Sequence, residues 1–265
     1  LKEDIYSQHI RFGKRIKEVS ELKGKVLIKF ADNTNDLVDY VVGADGIFSN
    51  TRTFFEKKKN KPVLKNAIAI RTILKSTSGL DIDQSKVSLI MGKNCHLVFY
   101  PINKKQELNF VCILRHRRND SDNIKILIEK VVKQNLNLEK AFEHNLKSWP
   151  LYTTPKILPS TNNKVFYIGD AFNGFLPTLA QGAGQSIESA YELFNLIKNE
   201  RGDIHNIYFQ ERSKKAKIVR RRSNFNFFIF HLSSKFMQMM RNFFMKFLIK
   251  RKSFINSYLG TVYKK

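Results

Sequence analysis

The stretch VFYIGDAFNGFLPTLAQGAGQSIESAYELFNLI, residues 165–197, decides the fold of this chain. It starts with a short apolar run that ends in Gly169-Asp170, continues through Pro177, and opens a long amphipathic segment with two glycines. This order predicts a buried strand, a stiff loop and a helix whose first N–H groups have no intrahelical partner. Such a helix start favours an anionic ligand group. A glycine-rich linker is the structural alternative, but a linker needs no strand, acid and proline in this order.

The helix predicted over residues 186–198 carries an apolar stripe with the helical period. A stripe of this kind usually covers a core, so we expect it to face inward. Its members are Ile187, Ala190, Tyr191, Phe194 and Ile197.

A second corner lies in VVGADGIFSNTR, residues 41–52, where an apolar run ends in a Gly-x-Asp-Gly turn. A strand that ends in this way places a carboxylate where ligands of open α/β sheets bind, and glycine lets backbone come close to a ligand. Ser49 is a candidate N-cap for the helix that follows. The alternative is a plain strand-turn-helix corner, because short glycine motifs are weakly specific. The candidates for ligand contact here are Gly43, Asp45, Gly46 and the cation Arg52.

The strands that end at the two corners are separated by a β-rich middle segment. Alternating apolar residues predict strands over 63–74, 86–91, 96–102 and 108–115, and a helix over 122–147. We therefore predict an α/β fold, in which a nucleotide-binding framework of Rossmann type is interrupted by a β-rich domain and followed by helices. The predicted boundaries are 1–60 for the first part of the framework, 61–158 for the insert, 159–200 for the framework's return and 201–265 for basic C-terminal helices.

The formal charge of +24 does not indicate a nucleic-acid-binding protein, because it is unevenly distributed. Residues 212–265 hold 15 lysines and arginines and no acid, which leaves +9 for the other 211 residues. The charge is not accompanied by a helix-turn-helix, zinc-finger or RNA-binding aromatic pattern. We therefore expect no nucleic-acid partner.

Cysteine usage and the first residues indicate the compartment. Cys95 and Cys112 have neither a CxxC partner nor a His/Cys cluster, so we expect no disulfide framework and no metal site. This suits the reducing cytoplasm. The sequence opens without Met and without a basic-then-apolar leader, so we expect neither a signal peptide nor a native start at residue 1.

The basic tail, residues 212–265, is also rich in Phe, Met, Leu and Ile at spacings of three and four, which predicts an amphipathic helix. Its longest uninterrupted apolar stretch, Phe227–Phe230, is far shorter than the ~20 residues of a membrane span. We expect the apolar face to pack against the rest of the protein. The alternative is a peripheral contact with the anionic inner face of a membrane. The face consists of Phe225, Phe228, Leu232, Phe236, Met239, Phe243 and Phe247.

The two corners resemble the FAD-binding segments of the flavoprotein aromatic hydroxylases of the para-hydroxybenzoate and salicylate hydroxylase type. GADGIFSNTR resembles the family's "GADG..S..R" segment, and residues 169–190 resemble its "GDA.H...P...GQG....ED" segment. Asn173 departs from the family's His, and Ser189 from its Asp. Further segments resemble the salicylate hydroxylase branch, namely AIAIRTIL at 67–74, CHLVFYPINKKQELNFVCIL at 95–114 and the helix ending in FIFH at 208–231.

The resemblance implies a flavin monooxygenase that is truncated at its N-terminus, because the strand–GxGxxG–helix unit that opens this family is absent from the sequence. FAD is the implied cofactor and NAD(P)H the co-substrate, and O2 reaches an aromatic ring through a flavin hydroperoxide. By this resemblance Asp170 holds a ribityl hydroxyl, Asp45 lies near the pyrophosphate with Arg52 supporting it, and a helix start faces the N1/C2 edge of the flavin ring. The implied cofactor-binding set is Gly43, Asp45, Gly46, Arg52, Gly169, Asp170, Pro177, Gly182, Ala183 and Gly184.

The implied substrate is a small aromatic molecule bound against the β-rich domain. Arg71, His96 and Tyr100 are the candidates for the substrate pocket, against the alternatives of a surface cation, a satisfied sheet residue and core packing. The mechanism requires no side-chain nucleophile. Two other functions stay open: a related flavin-dependent epoxidase or reductase acting on an isoprenoid lipid, and a non-catalytic gene fragment that lacks half of its FAD site.

Overall fold

The computed structural model describes residues 9–56, 61–74, 83–102, 107–115, 146–155, 157–199 and 202–263. Its strands are β1 (Ile16–Leu22), β2 (Lys25–Phe30), β3 (Asn35–Val38), β4 (Val41–Gly43), β5 (Val63–Leu74), β6 (Ser88–Met91), β7 (Cys95–Ile102), β8 (Glu107–Arg115), β9 (Lys147–Thr153) and β10 (Val165–Tyr167). Its helices are α1 (Asn50–Phe55), α2 (Asp170–Asn173), a single 3-10 turn (Pro177–Leu179), α3 (Gly182–Lys198), α4 (Ile204–Phe230), α5 (Lys235–Leu248) and α6 (Lys252–Tyr263).

The chain forms two compact units. Unit one consists of Leu1–Val63, Thr154–Phe175 and Ala180–Ala216. It contains an antiparallel sheet in the order β1-β2-β3 and a parallel pair of strands, β10 and β4. Its main core cluster packs apolar side chains of these sheets against α2 and α4, and consists of Val26, Val41, Val165, Tyr167, Ala171, Phe172 and Ala216.

Unit two consists of Leu64–Thr153, Leu176–Leu179 and Lys217–Lys265. Its sheet has the order β6-β7-β8-β5-β9, and the pairs β6–β7, β7–β8 and β5–β8 are antiparallel. The core on one face includes both cysteines, and burial raises the pKa of the Cys95 thiol to about 11. The core consists of Ile70, Leu74, Cys95, Leu97, Phe99, Leu108, Phe110, Cys112 and Leu114.

Two regions differ from the predicted elements, and a third predicted element lies mostly outside the described residues. The apolar run at 37–42 splits between β3 and β4, which belong to different sheets. The helix predicted over 122–147 lies, except for its last two residues, outside the described residues. Lys147 begins β9, a strand that contains Pro150 and lies at the edge of its sheet, where a missing N–H donor is tolerated.

The apolar stripe predicted to face inward on α3 is on the solvent side. Ile187, Tyr191 and Phe194 are 70%, 53% and 57% exposed. The buried residues of α3 are instead Gln185, Ser189, Leu193 and Leu196. The prediction was wrong because α3 buries a stripe that begins with two polar residues, and these are engaged by hydrogen bonds described below.

The tail also differs from its expected packing. It is broken between α4 and α5, and most of the predicted apolar face is exposed, with Phe243 at 55% and Phe247 at 56%. Leu232, between the two helices, is the member of that face that is buried. Within the described residues, no helix combines the length and the apolar character that crossing a bilayer requires.

Candidate functional site

The parallel pairing of β4 and β10 brings the two aspartate corners together. Val41, Val42 and Gly43 pair with Val165, Phe166 and Tyr167 in that order. The ladder continues into the corner, since the N–H of Ile168 donates to the carbonyl of Gly43 over 3.0 Å. Because carboxyl ends of parallel strands meet at one sheet edge, Asp45 and Asp170 leave the sheet at the same end.

The carboxylate of Asp45 is used within its own corner. Its Oδ1 accepts from the Ser49 hydroxyl over 2.5 Å, and its Oδ2 accepts from the backbone N–H and the hydroxyl of Thr51 over 2.9 and 3.0 Å. Burial acts to raise the pKa of Asp45, but these hydrogen bonds outweigh it, so the pKa lies below its ordinary value. Ser49 is the N-cap of α1, as predicted, and accepts from the N–H of Arg52 over 2.9 Å.

Arg52 is buried rather than presented to a ligand. Its guanidinium is stacked over the ring of Tyr167 at 5.1 Å and donates to the carbonyl of Phe172 over 2.8 Å. Burial lowers its pKa from the ordinary value. Arg52, a candidate cation for ligand contact, joins α1 to α2 in the structure.

Gly43 and Gly169 are glycines because neighbouring side chains come too close for a Cβ. A Cβ on Gly43 would lie 2.9 Å from the Tyr167 ring, so this glycine serves packing inside the corner, where the sequence suggested contact with a ligand. A Cβ on Gly169 would lie 2.6 Å from the Ser186 hydroxyl, and its φ of 58° and ψ of −139° suit glycine alone. The turn at Gly46 is simpler, since its carbonyl accepts from the N–H of Ser49 over 3.1 Å.

Ser189 joins the second corner to α3. Its hydroxyl accepts from the N–H of Gly169 over 3.0 Å and donates to the carbonyl of Ser186 over 2.7 Å. It is 1% exposed. The residue that departs from the family's Asp therefore has a structural role in this chain.

Asp170 contrasts with Asp45, since its carboxylate has no hydrogen-bond or ion-pair partner in the part of the chain that the structure describes. Burial raises its pKa above the ordinary value. It lines a small cleft beside the start of α3. The other lining residues are Gly169, Phe172, Asn173, Phe175, Gly182, Gln185, Arg212 and Ala216.

The first turn of α3 is open. Its N-cap, Gln181, makes no side-chain cap, and Gly182, Ala183 and Gly184 are exposed. Ala180, which precedes the cap, has a φ of 52°, a left-handed conformation that costs a non-glycine residue about 1–2 kcal/mol. The chain thus adopts a strained turn directly before a helix start whose first three residues are exposed.

Arg212 is a site residue that the sequence analysis missed. It was counted among the cations of the tail, yet it is 3% exposed and joins α4 to α3. Its guanidinium donates to the carbonyl of Gln185 over 3.0 Å and to its side-chain oxygen over 2.5 Å, and it pairs with Glu192 at 3.1 Å. The sequence signal that could have predicted a cation beside α3 was the acid pair Glu188 and Glu192, one helical turn apart on that helix.

Arg71 and Tyr100, two of the three predicted substrate residues, lie together. They lie on β5 and β7, which both pair with β8. The guanidinium of Arg71 is exposed and approaches the Tyr100 hydroxyl at 3.5 Å.

His96, the third candidate for the substrate pocket, is buried and hydrogen-bonded, which corresponds to the alternative of a satisfied sheet residue. Its Nδ1 lies 2.9 Å from Nε2 of His231, which is also 3.2 Å from the carbonyl of Ile113. Burial lowers the pKa of His96 to about 4, and burial together with its neighbour lowers that of His231 to about 3. Both rings are therefore neutral at physiological pH.

Pro177, predicted to flank the flavin ring, begins the 3-10 turn of unit two. The next residue, Thr178, donates from its hydroxyl to the carbonyl of Ser223 over 2.7 Å. The turn is therefore anchored on α4.

This chain is similar to curated flavin-dependent hydroxylases and monooxygenases. Salicylate hydroxylase from Pseudomonas putida is 24% identical over 224 residues, which cover 74% of this chain and 52% of that enzyme. An FAD-dependent monooxygenase from Gibberella moniliformis is 21% identical over 210 residues, which cover 72% of this chain and 48% of that enzyme. The chain thus spans about half the length of these relatives.

The fold has counterparts among solved structures. Klebsiella pneumoniae HpxO, solved in complex with FAD and uric acid, matches with a TM-score of 0.79 at 16% identity, over 95% of this chain and 67% of that one. This likeness confirms the predicted fold class.

These relatives confirm the resemblance to FAD-dependent monooxygenases of the aromatic hydroxylase type that the two corners carry. The sequence profile of one family, squalene epoxidase (SE), matches residues 38–260, which is most of the chain. The chain belongs to this family.

Proposed function

We propose that this chain supplies the flavin-binding corner of a monooxygenase that hydroxylates a small aromatic substrate with NAD(P)H and O2. The observation that carries the proposal is the carboxylate of Asp170, which has no partner among the described residues, beside the uncapped start of α3. A carboxylate with no protein partner is an acceptor for ligand hydroxyls, and an open helix start accepts a negatively polarised group. The two together match a cofactor that has a polyhydroxyl chain next to an electron-accepting ring.

The residues of unit one fit FAD in definite roles. Asp170 would accept from a hydroxyl of the ribityl chain, and the exposed first turn of α3, from Gly182 to Gly184, would stabilise negative charge on the flavin ring. A Cβ on Gly182 would meet no atom within 4 Å, so there is room for a ligand against this turn. The corner formed by Gly43, Asp45 and Gly46 supports the Asp170 corner, because β4 pairs with the strand β10 that leads to Asp170. FAD, when bound, supplies the redox chemistry that moves electrons from NAD(P)H to O2.

Arg71 and Tyr100 suit an anionic aromatic substrate. A guanidinium and a phenol hydroxyl near each other on an exposed sheet surface can bind a carboxylate and a ring hydroxyl. The names of two curated relatives, salicylate hydroxylase and 3-hydroxybenzoate 6-hydroxylase, support this class of substrate. We therefore propose a hydroxylated benzoate or a related phenolic acid.

Flavin binding and NAD(P)H consumption test the proposal. We expect the full-length protein, including its strand–GxGxxG–helix unit, to retain FAD after gel filtration, with the absorbance of a bound flavin, and to oxidise NADH or NADPH faster when a phenolic acid is added. A protein that binds no FAD in titration contradicts the flavoprotein assignment. FAD binding without any NAD(P)H oxidation supports instead a non-catalytic role.

A second candidate is oxidation of an isoprenoid lipid, which the description of the matched family favours. The same assay separates the two functions. Acceleration by squalene or a related isoprenoid, with no response to phenolic acids, makes the lipid reaction the function. Acceleration by a phenolic acid alone excludes it.

A further inference from the structure

Asn109, on β8, has a buried polar group that the described part of the protein does not use. Its Nδ2 is buried and has no hydrogen-bond partner among the residues that the structure describes. Most buried polar side-chain atoms in proteins have a partner, because a donor that is removed from water and left unpaired lowers stability. A buried donor of this kind is suited to an acceptor on a bound molecule.

The register of the sheet places Asn109 beside the two substrate candidates. β8 lies between β7 and β5, and Asn109 pairs directly with Tyr100 on β7. Arg71 on β5 pairs with Val111, two positions further along β8. Directly paired side chains lie about 5 Å apart, and diagonal ones about 7–8 Å. Arg71, Asn109 and Tyr100 therefore occupy one region on one face of the sheet.

The contact between Arg71 and Tyr100 passes over the strand that contains Asn109. The two residues lie on the strands on either side of β8, and Nη2 of Arg71 is 3.5 Å from the Tyr100 hydroxyl. A guanidinium pairs with a carboxylate through two parallel hydrogen bonds, whereas an amide N–H donates to a single oxygen. The three side chains together suit a ligand that has a carboxylate and a second acceptor oxygen.

Apolar side chains on the same face provide a surface for an aromatic ring. Val98 and Val111 pair directly and are both partly buried. His96 lies on this face nearer the start of β7, where it is covered by Phe230 at the end of α4, with ring centroids 5.2 Å apart. The two valines thus lie between the covered part of the face and the three donors.

We propose that Asn109 is a substrate-binding residue, which donates from Nδ2 to the ring oxygen of a hydroxylated benzoate whose carboxylate pairs with Arg71. This role rests on the proposed function, and it restricts the substrate to an aromatic ring with an acceptor oxygen besides its carboxylate. An isoprenoid hydrocarbon has no acceptor for this donor. Because Nδ2 is already removed from water, its bond to the ligand replaces no bond to water, so it contributes more affinity than a bond from an exposed amide.

Binding of matched ligands to the full-length flavoprotein tests this role. Salicylate and 3-hydroxybenzoate have a carboxylate and a ring hydroxyl, whereas benzoate lacks the hydroxyl. The hydroxybenzoate that the wild-type protein binds more tightly should bind about tenfold more weakly to Asn109→Leu, in a titration followed by flavin absorbance. The affinity for benzoate should stay within about twofold. Arg71→Gln should instead weaken the binding of all three ligands, because each has a carboxylate.

The melting temperature of the ligand-free protein separates a binding role from a structural one. Asn109→Leu removes an unpaired buried donor and nearly keeps the side-chain volume, so we expect the melting temperature to rise by about 2–4 °C. The matched control is Asn35→Leu, the same exchange at an exposed position of β3 in unit one. It should change neither the melting temperature nor the affinity for any of the three ligands.

A second variant covers the case in which leucine does not fit the sheet. Asn109→Ala adds no atom that could clash, and it should show the same selectivity between hydroxybenzoate and benzoate. A lower melting temperature for both Asn109 variants shows that the amide stabilises the fold, and it overturns the binding role.

The ligand titrations distinguish a failure of this role from a failure of the proposed function. A wild-type protein that binds FAD but none of the three ligands contradicts both, because the sheet then binds no benzoate. Hydroxybenzoate binding that is equally tight in the wild type and in the Asn109 variants contradicts the role of Asn109 alone.

Discussion

In both aspartate corners a strand leads into a glycine and an aspartate, but the two carboxylates differ in their hydrogen bonds and in the direction of their pKa shifts. Asp45 ends a strand and accepts three hydrogen bonds from the helix that follows it, so its pKa is lowered. Asp170 ends the neighbouring strand, has no partner in the described structure, and has a raised pKa. The first carboxylate stabilises the corner, and the second remains available to a ligand. A motif therefore predicts that a carboxylate lies at the sheet edge where ligands bind. The hydrogen bonds of that carboxylate decide whether it is available to a ligand or is used within the protein.

The largest effect expected at these corners is that of Gly169→Ala. The positive φ and the Ser186 hydroxyl at 2.6 Å both oppose a Cβ, so we expect a loss of roughly 3 kcal/mol in the free energy of unfolding. The matched control is Gly182→Ala, where a Cβ meets no atom within 4 Å and alanine favours the helix. Urea denaturation of both variants measures the difference. Similar results at the two positions contradict the packing described for Gly169.

Asp170→Asn should weaken FAD binding while leaving the fold intact. A hydrogen bond to a charged acceptor contributes about 1.5–3 kcal/mol, so we expect roughly 10- to 150-fold weaker binding in a flavin titration. The variant should also melt slightly higher at pH 7 without cofactor, because an ionised carboxylate with a raised pKa destabilises the folded state above that pKa. This gain should disappear below the ordinary pKa of aspartate, where both states are protonated. Unchanged FAD affinity would remove Asp170 from the site.

Asp45→Ala should mainly lower the free energy of unfolding, and it should have the smallest effect on flavin affinity. Loss of its contacts to Ser49 and Thr51 should cost about 1 kcal/mol of stability, as for a helix cap, and should change flavin affinity less than the Asp170 variant does. A lowered pKa means that Asp45 stabilises the fold above the ordinary pKa of aspartate. The stability difference between wild type and variant should therefore shrink as the pH falls below about 4. Equal losses of flavin affinity in the two aspartate variants contradict the comparison.

The sequence predicted that each corner ends a strand with a carboxylate at a ligand edge, and the family resemblance implied that both corners contact one cofactor. It also predicted the N-cap at Ser49 and the sheet formed by β5 to β8. These features depend on local patterns that a single chain displays directly.

The sequence did not predict which stripe of a helix is covered. The stripes of α3 and α5 have the correct helical period, yet Phe194 and Phe243 are exposed while Gln185 and Arg241 are inside. Periodicity shows that a helix has two faces, whereas hydrogen bonds from other elements decide which face is buried. The contact of His96 with His231 was also missed, because the two residues are 135 positions apart and no local pattern joins them.

The distance along the chain between the two corners also affects how the protein folds. The bond from Arg52 to the carbonyl of Phe172 joins residues 120 positions apart. Closing a loop of that length costs more chain entropy than forming the hairpins of β1–β2 or β7–β8, so the cofactor corner should assemble late. Early folding of the five-stranded sheet inside the loop would shorten the free chain that has to be closed. Refolding followed by flavin fluorescence should therefore lag behind refolding followed by backbone circular dichroism, because cofactor capture awaits the slowest contact in unit one.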